Sequence, residues 1–121
     1  MGSIDTIDGM KRTDARILRK SGVRTTEKLL KRAGTRSGRR ELASTTGLLE
    51  RQILDWVNRA DLMRVKGIGE EYSDLLEAAG VDTCKELRNR NPQSLLGKMT
   101  QINSKKRLVR RLPTEVMVKR W

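Results

Sequence analysis

The chain carries one segment twice. Residues 4–29 read IDTIDGMKRTDARILRKSGVRTTEKL, and residues 62–87 read LMRVKGIGEEYSDLLEAAGVDTCKEL. A shift of 58 positions aligns Ile7 with Val65, Gly9 with Gly67, Ala15 with Ser73 and Leu18 with Leu76. The same shift aligns Gly22-Val23 with Gly80-Val81, Thr25 with Thr83 and Leu29 with Leu87. Each copy holds a glycine turn, a short amphipathic helix, a second glycine and the start of another helix. Such a repeat requires two similar halves, each built on one supersecondary unit.

At 121 residues the chain is one domain or two very small ones. The repeat divides it into residues 1–60 and 61–121. A half of about 60 residues buries only a marginal core, so the halves are expected to pack on each other. No Gly-, Pro- or Ser-rich linker separates them. Leu dominates the apolar residues, Phe is absent, and Trp56, Tyr72 and Trp121 are the aromatics. This palette suits interlocking helices and argues against readers that stack bases on sheet aromatics. Alternating apolar runs and hairpin turns are missing. The expected fold is all-α, with two tandem bundles of about five short helices each.

The apolar periodicity and stop signals predict helices at 12–21, 38–45, 49–58, 70–79 and 83–90, and one after Thr25 or Thr26 that contains Lys28 to Arg32. Another starts at Asn91-Pro92, where a first-turn Pro lacks only an unneeded N–H. Asn103-Ser104 reads as the cap of a helix over 105–111, and Pro113 as the start of a last helix ending near Trp121. Gly22 suits the left-handed position just past a helix end. Thr25 or Thr26 reads as one N-cap and Ser37 as another, while Gly34 and Thr45-Thr46-Gly47 read as stops. Asp61 reads as the cap of a short turn through Met63.

The second copy concentrates the chemistry of the turn. In Leu62-x-x-Val65-Lys66-Gly67-Ile68-Gly69-x-x-x-Ser73-x-x-Leu76, the apolar residues anchor two helices to each other. Gly67 and Gly69 allow a tight turn, and the small Ser73 lets the helices approach. The helix after Gly69 opens with N–H groups that lack partners and carry partial positive charge, which suits a phosphate oxygen. This spacing resembles the helix-hairpin-helix motif of DNA repair and replication proteins. That resemblance implies binding to duplex or single-stranded DNA through backbone phosphates, without base reading. The first copy, Ile4-x-x-Ile7-Asp8-Gly9-Met10-Lys11-x-x-x-Ala15-x-x-Leu18, keeps the pattern except that Lys11 replaces the second glycine. The whole chain also resembles an uncharacterised bacterial family known only as a domain of unknown function. The stretches NRADLMRVKGIGEEYSDLLEAAGVDTCKEL and VRRLPTEVMV carry that resemblance, which implies a tandem helix-hairpin-helix architecture.

Charge separates the copies. The net charge is +12 and the sequence pI near 10.7, an excess that favours polyanions. Residues 1–60 hold 14 basic and 7 acidic side chains, and residues 61–121 hold 13 and 8. Lys11, Arg12, Arg16, Arg19, Lys20 and Arg24 surround the first turn and helix. Glu70, Glu71, Asp74 and Glu77 occupy the matching helix of the second copy. Glu70 and Glu71 stand where a phosphate would approach and repel it.

The candidate nucleic-acid residues are Gly9, Lys11, Arg12, Arg16 and Arg19 in the first copy and Lys66, Gly67 and Gly69 in the second. Two basic clusters add Arg36, Arg39 and Arg40, then Lys105, Lys106, Arg107, Arg110 and Arg111. On the expected 105–111 helix, residues 107, 110 and 111 share a face. Each cluster taken alone is better read as a solvated basic face.

The leading expectation is sequence-tolerant, non-enzymatic DNA binding, duplex more than single strand; RNA is not separable from DNA by sequence. The alternative is a protein-interaction adaptor pairing its basic face with the acidic helix 70–77 of another copy or another protein. Leu42-Ala43-Ser44-Thr45-Thr46-Gly47-Leu48, followed by Ile53 and Trp56, has helix-turn-helix spacing. Its would-be reading helix carries Glu50 and Asp55, so an ordinary helix pair is the better reading. Catalysis finds no support: His is absent, Cys84 is the lone cysteine, and the carboxylates are scattered. No disulfide or Cys/His zinc set can be assembled, and no cofactor is expected. No apolar run is long enough to span a membrane. The N-terminus lacks a secretory core. A bacterial cytoplasmic location, nucleoid-associated if DNA is bound, is expected.

Overall fold

The computed structural model describes residues 2–7 and 10–121, with Glu70 described by its backbone alone. Every regular element among these residues is helical. They divide into two compact units, Met1–Asp61 and Leu62–Trp121. No helix among the described residues is long and apolar enough to cross a membrane.

The first unit opens with a 3-10 turn, Ile4–Thr6, followed by α1 (Arg12–Lys20), α2 (Thr26–Ala33), α3 (Arg36–Thr46) and α4 (Glu50–Met63), whose last residues, Leu62 and Met63, fall in the second unit. Ala15 and Leu18 of α1 are buried one turn apart, while Arg12, Arg16 and Lys20 stay exposed. That division is the 3.6-residue period made physical. Ile4, Ile7, Val23, Leu29, Leu42, Ile53 and Trp56 join them in one core. An antiparallel bridge between Ser3 and Thr25 ties the opening turn to the α1–α2 junction.

The second unit repeats the plan with α5 (Glu70–Ala78), α6 (Cys84–Arg88), α7 (Pro92–Lys106) and α8 (Glu115–Arg120). Its core gathers Leu62, Ile68, Leu75, Leu76, Val81, Met99 and Val118. The repeat reaches the hydrogen bonds. After α1, the Val23 N–H donates to the Leu18 carbonyl at 2.9 Å and Gly22 N–H to Arg19 at 3.0 Å. After α5, Val81 donates to Leu76 at 2.8 Å and Gly80 to Glu77 at 3.0 Å. Both are Schellman stops, which need a left-handed residue. Gly22 (φ 89°) and Gly80 (φ 90°) supply it.

Caps settle the helix starts. Thr25, not Thr26, caps α2 by accepting the Lys28 N–H at 3.1 Å. Thr26 is buried instead. α3 starts earlier than expected because Thr35, in an extended conformation, accepts from Gly38 N–H at 3.0 Å; Ser37 lies inside the first turn. α4 runs through Asp61 to Met63 rather than breaking there. Its buried Ile53, Trp56, Val57 and Ala60 keep helical spacing up to that point, and no breaker intervenes.

The largest correction lies in α7. The expected helix over 105–111 does not form, and α7 continues through Asn103 to Lys106. Asn103 is a clasp, not an N-cap. Its Oδ1 accepts the Val109 N–H at 3.0 Å and its Nδ2 donates to the Val109 carbonyl at 3.2 Å. Arg107 reverses the chain in a left-handed conformation, φ 49°. The last helix starts after Pro113, at Glu115, because Thr114 accepts the Met117 N–H at 3.1 Å. The Gln93 side chain donates to Glu115 at 3.0 Å. That hydrogen bond, with Lys119 beside it, holds the Glu115 carboxyl below its ordinary value.

Candidate nucleic-acid interface

Helix starts divide into two kinds. α2, α3, α6, α7 and α8 are each capped by a Thr or Asn side chain. α1 and α5, the helices that follow the repeated turns, have no side-chain cap. Lys11 holds the cap position of α1 and Gly69 that of α5. The cap residue's side chain therefore accepts from none of their first N–H groups.

The surroundings of these two open starts differ. At α1, Lys11 and Arg12 place positive charge at the end of the helix where the macrodipole is already positive, with Asp14 as the first-turn acid. Arg12, Arg16 and Arg19 line an open hollow of about 590 Å³ with Asp5 and Met10. Arg19 is tethered there, paired with Asp5 and bonded to Ser3 Oγ at 3.3 Å. Arg12 and Arg16 are exposed, and no carboxylate among the described residues pairs with them. Gly9 lies outside the described residues.

At α5, Lys66 and Gly69 are exposed. Gly67 is left-handed (φ 93°), and a Cβ there would stand 3.2 Å from Trp121 Nε1. Gly69 is in extended backbone that any residue adopts, and a Cβ there would meet nothing within 4 Å. Gly69 thus leaves the approach clear; the turn itself needs only Gly67. Glu71 is exposed, and the side chain of Glu70 lies outside the described residues.

The remaining clusters are dispersed or committed. Arg36, Arg39 and Arg51 share a hollow of about 310 Å³ with Glu50 and Leu54. Arg39 donates to the Ala33 carbonyl at 3.1 Å, and Arg40 pairs with Glu50 at 3.8 Å. This hollow shares no lining residue with the one at α1. Lys105 and Lys106 end α7, Arg107 is its left-handed cap, and Arg110 and Arg111 lie in the irregular segment beyond. The common face of 107, 110 and 111 does not exist, because the helix that would carry it is replaced by the Asn103 clasp. In the helix-turn-helix stretch, Ile53 and Trp56 are spent on the core.

Sequence reasoning missed two groups. One is Arg51, which lines the same hollow as Arg36 and Arg39. Arg32 and Arg90, which the 58-residue shift also aligns, hold the helix-ending turns. Arg32 donates to the Ser21 carbonyl and Arg90 to the Gly80 carbonyl, the latter at 3.2 Å. They neutralise the negative ends of α1 and α5, so part of the positive charge is structural. Among the described residues no group of three or more His, Cys, Asp or Glu is placed to hold a metal.

These features define a small protein, all-helical among its described residues, that divides into two compact units and has an excess of arginine and lysine. The family model described as Domain of unknown function (DUF4332) matches residues 8–121, and the chain belongs to that family. No curated protein and no solved structure matches it.

Proposed function

We propose that this protein binds DNA without sequence preference, through backbone phosphates, and without catalysis. The observation that carries the reading is α1: a helix start without a side-chain cap, flanked by Lys11 and Arg12, with Arg12 and Arg16 exposed and without a carboxylate partner among the described residues. Three cations at positions 12, 16 and 20 repel one another along one stripe. Two cations at a helix start oppose the macrodipole. A phosphodiester backbone relieves both penalties. The resemblance of each copy to helix-hairpin-helix units supports the same reading. In the second copy the left-handed Gly67 and the side-chain-free Gly69 support it as well, with less positive charge around them.

The adaptor reading has less support. Asp74 and Glu77 of α5 are only partly exposed and already engaged within the chain, so the acidic face it requires is reduced.

With about five phosphates neutralised, log affinity for random duplex should fall with log salt at a slope of roughly −5. Fluorescence anisotropy titrations at several salt concentrations read the slope directly. Affinity flat in salt, or no binding at low salt, would overturn the proposal. A salt-sensitive oligomer seen by light scattering, together with no DNA affinity, would favour the adaptor.

A further inference from the structure

Trp121 stands between two hollows of the second unit. The first, about 340 Å³, is walled by Arg64, Val65, Cys84, Leu87, Arg88 and Trp121. The second, about 320 Å³, shares Leu87, Arg88 and Trp121 with it. Among the described residues no Asp or Glu side chain lines either hollow.

The indole is fixed in place. Its ring centroid lies 5.5 Å from that of Tyr72 at an interplanar angle of 49°. Tyr72 is itself held, its hydroxyl donating to the Arg111 carbonyl at 3.0 Å. The indole Nε1 lies against the Gly67 turn, which has no side chain to displace it. Despite these contacts Trp121 remains part-exposed, unlike the buried Trp56 of the first unit.

The cations around it are not equivalent. In the second hollow, Arg90 pairs with Glu86 at 3.6 Å and also holds the Gly80 carbonyl, while Lys119 pairs with Glu115 at 3.4 Å. Arg88 lines both hollows, is exposed, and has no carboxylate partner among the described residues. Arg64 adds a second guanidinium to the first hollow.

We propose that these hollows bind a nucleotide, its base against Trp121 and its phosphate on Arg88. Every base has a π-face, so a single indole accepts any of them. A guanidinium fork matches a phosphate in two parallel hydrogen bonds. A space of a few hundred Å³ belongs to the small end of ligand sites. A bare anion would leave the aromatic wall unused, and an apolar ligand would leave Arg88 unused. The site lies in the second unit and stands independently of duplex binding at α1.

Intrinsic fluorescence of the full chain tests this, with buried Trp56 as the unresponsive reference. Adenosine 5′-monophosphate is expected to quench Trp121 saturably. Adenosine should bind about tenfold more weakly, for want of one charge-assisted contact. Inorganic phosphate should leave the emission unchanged. Arg88→Ala should lower affinity for the monophosphate to that for adenosine. Trp121→Phe, followed by calorimetry, should retain binding, whereas Trp121→Ala should weaken it at least about tenfold. Should Trp121→Ala fail to fold, Arg88→Ala, at an exposed position, still decides. Equal quenching by adenosine and its monophosphate, or unchanged affinity in Arg88→Ala, overturns the proposal. Absent quenching with duplex binding intact overturns this site alone. Lost duplex binding with quenching intact overturns the α1 reading alone.

Discussion

Arg12→Glu combined with Arg16→Glu is expected to lower affinity for random duplex by roughly a hundredfold at about 0.1 M salt. A charge-assisted contact contributes about 1.5–3 kcal/mol. Exposure and screening favour the lower figure for each arginine, so two lost contacts cost about 3 kcal/mol, which is about a hundredfold. The salt slope should shrink by about two, because two fewer counterions are released. Stability should change by no more than about 0.5 kcal/mol, since both side chains are exposed and neither pairs with a carboxylate among the described residues. Arg19→Glu is a poorer test: it breaks the contacts to Asp5 and Ser3 that fasten the opening turn. Affinity within twofold of the unsubstituted protein, at an unchanged slope, would remove α1 from the interface.

That experiment separates turn geometry from positive charge, which the repeat presents together. In the second copy Gly67 is left-handed and Gly69 leaves the start of α5 unobstructed. In the first copy Arg12 and Arg16 carry positive charge with no carboxylate partner among the described residues. Duplication supplied two open helix starts, and the side chains around them diverged. Trp121 against Gly67 has no aligned counterpart, since the shift places Met63 at that position.

The parts of the fold legible in sequence are those fixed by local chemistry. Gly22 and Gly80 are readable because a Schellman stop needs a left-handed residue, and Ala15, Leu18 and Leu76 because their spacing is helical. Asn103 was not readable. An asparagine before a serine looks like an N-cap, yet its side chain grips Val109, and only that contact shows the helix ending rather than beginning. The basic clusters divide likewise. Sequence finds every arginine but cannot distinguish Arg39, bonded to a carbonyl, from Arg16, which is not. Arg32 and Arg90 were accessible through the repeat, because a position that keeps arginine in both copies has a role common to both.

Gly38→Ala should destabilise the first unit even though helix propensity predicts a gain. Gly38 lies in the first turn of α3, where alanine is intrinsically better by about 1 kcal/mol. Its added Cβ, however, would stand 2.1 Å from the Arg32 carbonyl oxygen and 3.2 Å from Thr35 Oγ1. The first is backbone and cannot rotate away, and the second is the oxygen that caps α3. Separating α2 from α3 also loosens the Arg39 bond to Ala33. Strain of this kind costs about 1–3 kcal/mol and sometimes more, which outweighs the propensity. A net loss of about 2 kcal/mol corresponds to roughly 8–16 °C in melting temperature for a unit of this size. Gly97→Ala supplies the opposite sign: it sits at an exposed position within α7, and its Cβ meets nothing within 4 Å. That substitution should stabilise by up to about 1 kcal/mol. Thermal melts of the two variants, followed by circular dichroism, decide the matter. If Gly38→Ala melts as late as Gly97→Ala, the close approach of α3 to the end of α2 is not a constraint, and glycine at position 38 has no packing reason.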